Sequence, residues 1–104
     1  MAIDLERAEA GFAASTDGTV GIEEEFAILD PESLDLAPRF EELRDAGRDD
    51  PRLGVAIAGE LISSEIEIRS GAGADLHDAV ALQRDVRARL FALAAERGAA
   101  LGST

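Results

Sequence analysis

The chain has no cysteine, which excludes disulfides, thiolate metal sites and cysteine nucleophiles. It has no lysine either: its ten basic residues are all arginine, set against 22 acidic ones, for a formal net charge of −12. A field of that sign repels nucleic acid and anionic membrane, so neither is expected as a partner. It suits cations, or substrates that arrive with a cation. Tryptophan and tyrosine are missing, and four phenylalanines are the only aromatics in 104 residues, which predicts a thin core. A chain of this length buries about 65% of its unfolded surface. No apolar run approaches the ~20 residues of a membrane span. Met1–Ala10 carries acids where a secretory leader needs a basic start. The apolar fraction of 46% is too high for a disordered acidic tail. The expectation is a cytoplasmic protein: one small domain, residues 1–104, or a piece of a larger one.

Along the chain, Ile3 to Ala14 reads as a short Ala/Glu-rich helical stretch, broken by Ser15-Thr16-Asp17-Gly18. Thr19 to Asp30 is the first strong strand, Asp30-Pro31-Glu32-Ser33 a turn, and Leu34 to Ala37 a short return strand. Pro38 suits the start of a helix running through Arg44 and ending near Gly47. Arg48 to Arg52 reads as a solvated loop, and Leu53 to Arg69 as two strand-like halves, Val55–Ala58 and Leu61–Arg69, with Gly59 as a bend. Ser70 to Ala74 reads as a flexible connection. A long helix follows from Asp75 to Arg97, with Asp75 as N-cap, Gly98 as stop, and an apolar stripe of Leu76, Val80, Val86, Leu90 and Leu93. This order predicts an α+β fold, a largely antiparallel sheet with helices on one face.

Period-two reading of the first strand puts Val20, Ile22, Glu24, Phe26 and Ile28 on one face and Gly21, Glu23, Glu25, Ala27 and Leu29 on the other. The first is a core face interrupted by Glu24. The second carries two carboxylates ~6.5 Å apart along the strand. The later strand repeats the arrangement, with Ile62, Ser64, Ile66 and Ile68 opposed to Ser63, Glu65, Glu67 and Arg69. Should both apolar faces meet the same helix layer, Glu23, Glu25, Glu65 and Glu67 line one groove. Hard cations such as Mg²⁺ take oxygen ligands of this kind. A Glu-x-Glu strand is equally the solvent side of an amphipathic sheet, and pattern alone leaves both readings open.

Other chemistry is poorly supported. His77, the single histidine, reads as an exposed residue in the first turn of the long helix. Gly71-Ala72-Gly73 lacks the spacing and the lysine of a phosphate-binding loop. Ser63 and Ser64 have no histidine base in their segment, and the long helix's arginines read as a solvated face.

The segments Thr19-Val20-Gly21-Ile22-Glu23-Glu24-Glu25-Phe26 and Gly59-Glu60-Leu61 with Ser64-Glu65-Ile66-Glu67-Ile68 resemble the glutamate–cysteine ligase type 2 family of carboxylate–amine ligases. The long helix and an incipient strand Ala100 to Thr104 extend the resemblance over residues 19–104. It implies a glutamine synthetase-like fold and ATP-dependent amide formation: a glutamate carboxylate becomes an acyl phosphate, which an amine such as that of cysteine attacks. By resemblance Glu23, Glu25 and Glu67 match metal ligands for Mg²⁺ or Mn²⁺, with Glu65 and Glu60 as further candidates. No catalytic residue separate from these is assigned. Glu24 departs from the apolar residue often found at its position.

Members of that family are several times longer, and their strand at the position of Leu101 runs on through a Gly-Thr-His-Pro-like segment. The resemblance therefore implies an N-terminal portion of one catalytic domain, with most of the nucleotide and amine sites beyond Thr104. An unfinished sheet implies marginal stability or self-association, a homo-oligomer included, and no turnover by the isolated chain. The alternative is a non-catalytic acidic module that binds divalent metal or a partner.

Overall fold

The computed structural model describes residues 12–14, 20–58 and 62–103. Among them the fold is α+β, with a five-stranded sheet whose pairings are all antiparallel. Its axis is β2 (Val20–Leu29), ten residues long. β4 (Glu65–Arg69) pairs with the middle of β2 and carries the two-residue strand β3 (Ile57–Ala58) beyond it. β1 (Phe12–Ala14) pairs with the start of β2, and β5 (Ala100–Ser103) with its end.

Among the described residues three helices cover one face: α1 (Phe40–Gly47), the single turn α2 (Pro51–Gly54) and α3 (Leu76–Glu96). Beneath them Phe26, Ile28, Ile66 and Ile68 of the sheet pack with Phe40, Leu43, Leu53, Val86 and Leu90 of the helices. These are the apolar halves of the two alternating strands, so the pleat orients both. The opposite face carries no helix among the described residues, and there lie the carboxylates.

α3 matches expectation at its ends. The Asp75 carboxylate accepts from the Asp78 amide at 2.8 Å, and Gly98 takes φ +70, a left-handed stop that suits glycine. Its buried stripe is Ala79, Gln83, Val86, Leu90 and Ala94, while Leu76 stays exposed. The stripe is thus rotated from the one predicted. Val80 and Leu93 of the predicted stripe are only partly buried and pack at the edge of the core, while Ala79 and Ala94 take the fully buried positions.

Several local readings need correction. Phe12–Ala14 is strand, not helix, because its backbone completes the β2 edge; the rest of that predicted helical stretch, residues 3–11, falls outside the described residues. The return strand at Leu34 to Ala37 shrinks to one bridge, Leu29 to Leu36, since Leu34 turns through φ +62. The first helix begins at Phe40, not Pro38, with Arg39 as an N-cap that offers no side-chain bond. The loop at Arg48 to Arg52 holds α2, because the Asp50 carboxylate accepts from the Arg52 and Leu53 amides.

The later strands are also shorter than expected. Val55 is 88% exposed at the end of α2, and Ile62 lies in a bend instead of on the core face. Gly59, Glu60 and Leu61 fall outside the described residues. Ser70 to Ala74 is no free connection: Val20 and Gly73 exchange amide bonds in both directions, and the Ser70 hydroxyl accepts from the Ile22 amide.

Candidate functional site on the open sheet face

On the helix-free face the register sets Glu23 opposite Arg69, Glu25 opposite Glu67, and Ala27 opposite Glu65. The Val20 and Ile28 amides donate to Gly73 and Ser64 on the β4 side, so even-numbered residues of β2 turn their main-chain groups toward β4. Glu25 and Glu67 therefore form a non-hydrogen-bonded pair, the closer type, with Cα atoms about 4.5 Å apart. Small residues complete the surroundings: Ala58 opposes Glu67 from β3, and Gly102 opposes Ala27 from β5. The fold thus brings Glu23, Glu25, Glu65 and Glu67 onto one face, as the alternation predicts.

Crowding of like charge is relieved in two ways. At one end Glu25 and Glu65 share a hydrogen bond, which together with slight burial and the Glu65 charge raises the Glu25 pKa above the ordinary carboxylate value. At the other end Arg69 pairs with Glu23 and with Glu67, each at 3.3 Å. Glu67 lies between the two ends. Burial, then the charge of Glu23, raises its pKa, against the opposing pull of Arg69.

With the carboxylates so engaged, no three acidic or histidine side chains among the described residues surround a point where one cation would sit. By donor chemistry the face still fits a hard divalent ion: its candidate ligands are carboxylate oxygens, they share one surface, and two of them are held above their ordinary pKa in part by neighbouring negative charge. What they offer is an open, one-sided set.

Glu24 points to the helix side. Its carboxylate accepts from the Gln83 amide at 3.0 Å and lies 3.8 Å from Arg87. The Arg87 guanidinium stands over the rings of Phe26 and Phe91, 5.5 and 5.3 Å from their centroids, and those rings meet edge to face at 5.2 Å. The interruption of the core face is thus neutralised from α3. Arg87 departs from the solvated face expected of it, being only 13% exposed, whereas Arg89 is exposed as expected and ties Asp50 of the α2 cap to Asp85.

Among the remaining candidates, His77 is exposed as expected. Ser64 is buried with its carbonyl bonded to Ile28. Glu60 lies outside the described residues. The residue that sequence reasoning passed over is Arg69. Its place in the Glu65-Ile66-Glu67-Ile68-Arg69 alternation puts it on the carboxylate face, a signal that was available.

Comparison with known proteins agrees with this segment's character. The model of glutamate–cysteine ligase family 2 matches residues 19–103, a span that includes all four carboxylates of the open face. A protein of Rubrobacter xylanophilus named "Putative glutamate--cysteine ligase 2-3" is 39% identical over 95 residues, 91% of this chain and 26% of that protein. One of Gloeobacter violaceus named "Putative glutamate--cysteine ligase 2" is 34% identical over 82 residues, 79% of this chain and 21% of that protein. A protein of the same name from Jannaschia sp. is 35% identical over 82 residues, with the same coverage, 79% and 21%. The chain spans about a quarter of the length of the curated relatives it matches. Among the described residues no helix is long and apolar enough to cross a membrane.

Proposed function

The chain belongs to glutamate–cysteine ligase family 2, and from that premise we propose that it is the metal-bearing, N-terminal part of a cytoplasmic ATP-dependent carboxylate–amine ligase with a glutamine synthetase-like catalytic domain. The proposed reaction joins glutamate to an amine such as that of cysteine, by way of an acyl phosphate formed from ATP. The observation that carries the reading is the direct opposition of Glu25 and Glu67 on the helix-free face, flanked by Glu23 and Glu65, inside the span that matches the family.

In this reading Glu23, Glu25 and Glu67 hold Mg²⁺ or Mn²⁺, with Glu65 beside them. The bound cation supplies charge neutralisation for crowded phosphate and carboxylate oxygens. The strand pair provides the rest. Its pleat keeps four carboxylates on one surface, small neighbours such as Ala27, Ala58 and Gly102 leave that surface open to a bulky nucleotide, and the Gln83–Glu24–Arg87 contacts anchor the middle of β2 from behind.

The test is Mn²⁺ titration of the chain, followed by electron paramagnetic resonance, with glutamate-dependent ADP release measured in a full-length ligase carrying this segment. Glu25→Gln and Glu67→Gln should each weaken Mn²⁺ binding at least roughly tenfold and depress turnover by two or more orders of magnitude. Glu24→Gln should leave both metal affinity and metal requirement unchanged. Full metal binding by Glu25→Gln and Glu67→Gln together would overturn the reading. Metal binding without ligation in the full-length protein would favour a non-catalytic module.

A further inference from the structure

Among the described residues of β2 and β4, Arg69 is the one basic side chain, and it lies on the carboxylate face. It sits across from Glu23 in the strand register and two residues from Glu67 on its own strand, so one planar fork reaches a carboxylate on each strand. Its side chain is 57% exposed, and beside it opens a cleft of about 130 Å³ lined by Gly21, Ile22, Glu23, Arg69 and Gly71. The guanidinium therefore has both a hold on the carboxylates and space to leave them. The oxygens it engages belong to two of the three residues read as metal ligands. Their attachment to it accompanies the lack of any three acidic groups gathered round one point among the described residues.

We propose that Arg69 is the resident counter-cation of the carboxylate face: it keeps Glu23 and Glu67 together before a divalent cation arrives, competes with that cation, and so sets the affinity of the face for metal. The inference rests on the metal-binding reading above and goes beyond it by making affinity a property of a residue that is not a ligand. A positive charge held about 5 Å from a divalent ion opposes its binding by about tenfold at low salt, even at the dielectric of water. Screening shrinks that penalty as salt is added. Arg69 is thus a positioning residue and a brake.

The probe is Mn²⁺, titrated against the chain in low-salt buffer and again at high salt, with free ion followed by electron paramagnetic resonance. Arg69→Gln should bind Mn²⁺ about tenfold more tightly than the parent at low salt, with the gain collapsing at high salt. Arg69→Lys loses the fork but keeps the charge that opposes the cation, and should remain within about threefold of the parent. Arg48→Gln removes an equal charge from an exposed position paired with Asp45, away from this face, and should also remain within about threefold. As a second readout on the unaltered chain, the Arg69 guanidinium proton signal should shift when diamagnetic Mg²⁺ is added. Equal or weaker binding by Arg69→Gln, or an equal gain from Arg48→Gln, overturns the proposal while leaving the metal site standing. No Mn²⁺ binding by parent or variants overturns the metal-site reading itself, and this inference with it.

Discussion

Glu25 and Glu67 face each other directly across two antiparallel strands, and the fold tolerates the repulsion without burying either side chain fully. Like charges in that position destabilise a sheet. The register thus places two like charges side by side on the face proposed to take a cation.

Replacing either carboxylate should therefore strengthen the fold while harming the site. Glu67→Gln is expected to raise unfolding stability by up to about 1 kcal/mol in metal-free buffer, less where solvent screens the pair. Chemical denaturation with and without Mg²⁺ checks this. Added Mg²⁺ should stabilise the parent more than the variant.

The acid side of the stability curve follows from the directions of four pKa shifts. Glu25, through its hydrogen bond to Glu65, and Glu67, through burial, are held above 4.5 in the folded chain. The folded state then binds more protons than the unfolded one just above 4.5, so stability rises as pH falls through that window and is lost as pH rises. Asp30, through the Ser33 and Glu32 amides, and Asp50, through Arg89, are held below 3.8, so their contribution is present above 3.8 and disappears as pH falls below it. Thermal melts should show Tm increasing from neutral to mildly acid pH and decreasing below 3.8. Glu25→Gln should flatten the rise.

Behind the site, Arg87→Ala should cost about 1–3 kcal/mol, since it removes the cation above two aromatic rings and leaves the Glu24 carboxylate with less compensation at the helix–sheet interface. Glu24→Gln should cost about 1 kcal/mol or less. Neither should change Mn²⁺ affinity by more than about threefold, because both act on the other face. A large change in affinity would show that the two faces are coupled.

Gly73 is a close-approach glycine. A Cβ there would stand 2.7 Å from the Ala79 amide nitrogen and 2.9 Å from its Cα, in the first turns of α3. Gly73→Ala should destabilise by roughly 1–3 kcal/mol by forcing α3 away from the segment that bridges to Val20. Gly71→Ala meets open space but sits at φ +78, so its cost should come from backbone strain alone. Comparing the two melts separates crowding from conformation.

Local pattern carried the two strands, their two faces and the long helix, because an apolar residue at every second or every third to fourth position determines which side seeks the core. It misread short pieces. Phe12–Ala14 became strand, Pro51–Gly54 became a helical turn, and Ile62 left the core face. Phe12–Ala14 pairs locally along the start of β2, the Asp50 carboxylate caps Pro51–Gly54, and the Ile62 carbonyl accepts from the Glu65 amide in a turn.

From the sequence alone came the alternation that separates Glu23 and Glu25 from Glu24, and Glu65 and Glu67 from Ile66, since the pleat of a strand is a local property. Which carboxylate stands against which was decided by the tertiary structure. Register depends on main-chain bonds between strands some forty residues apart, such as Ile28 to Ser64, and no local periodicity encodes them. The same holds for Arg69 beside Glu23 and Arg87 beside Glu24: charge in a sequence says that partners are needed, and only packing chooses them.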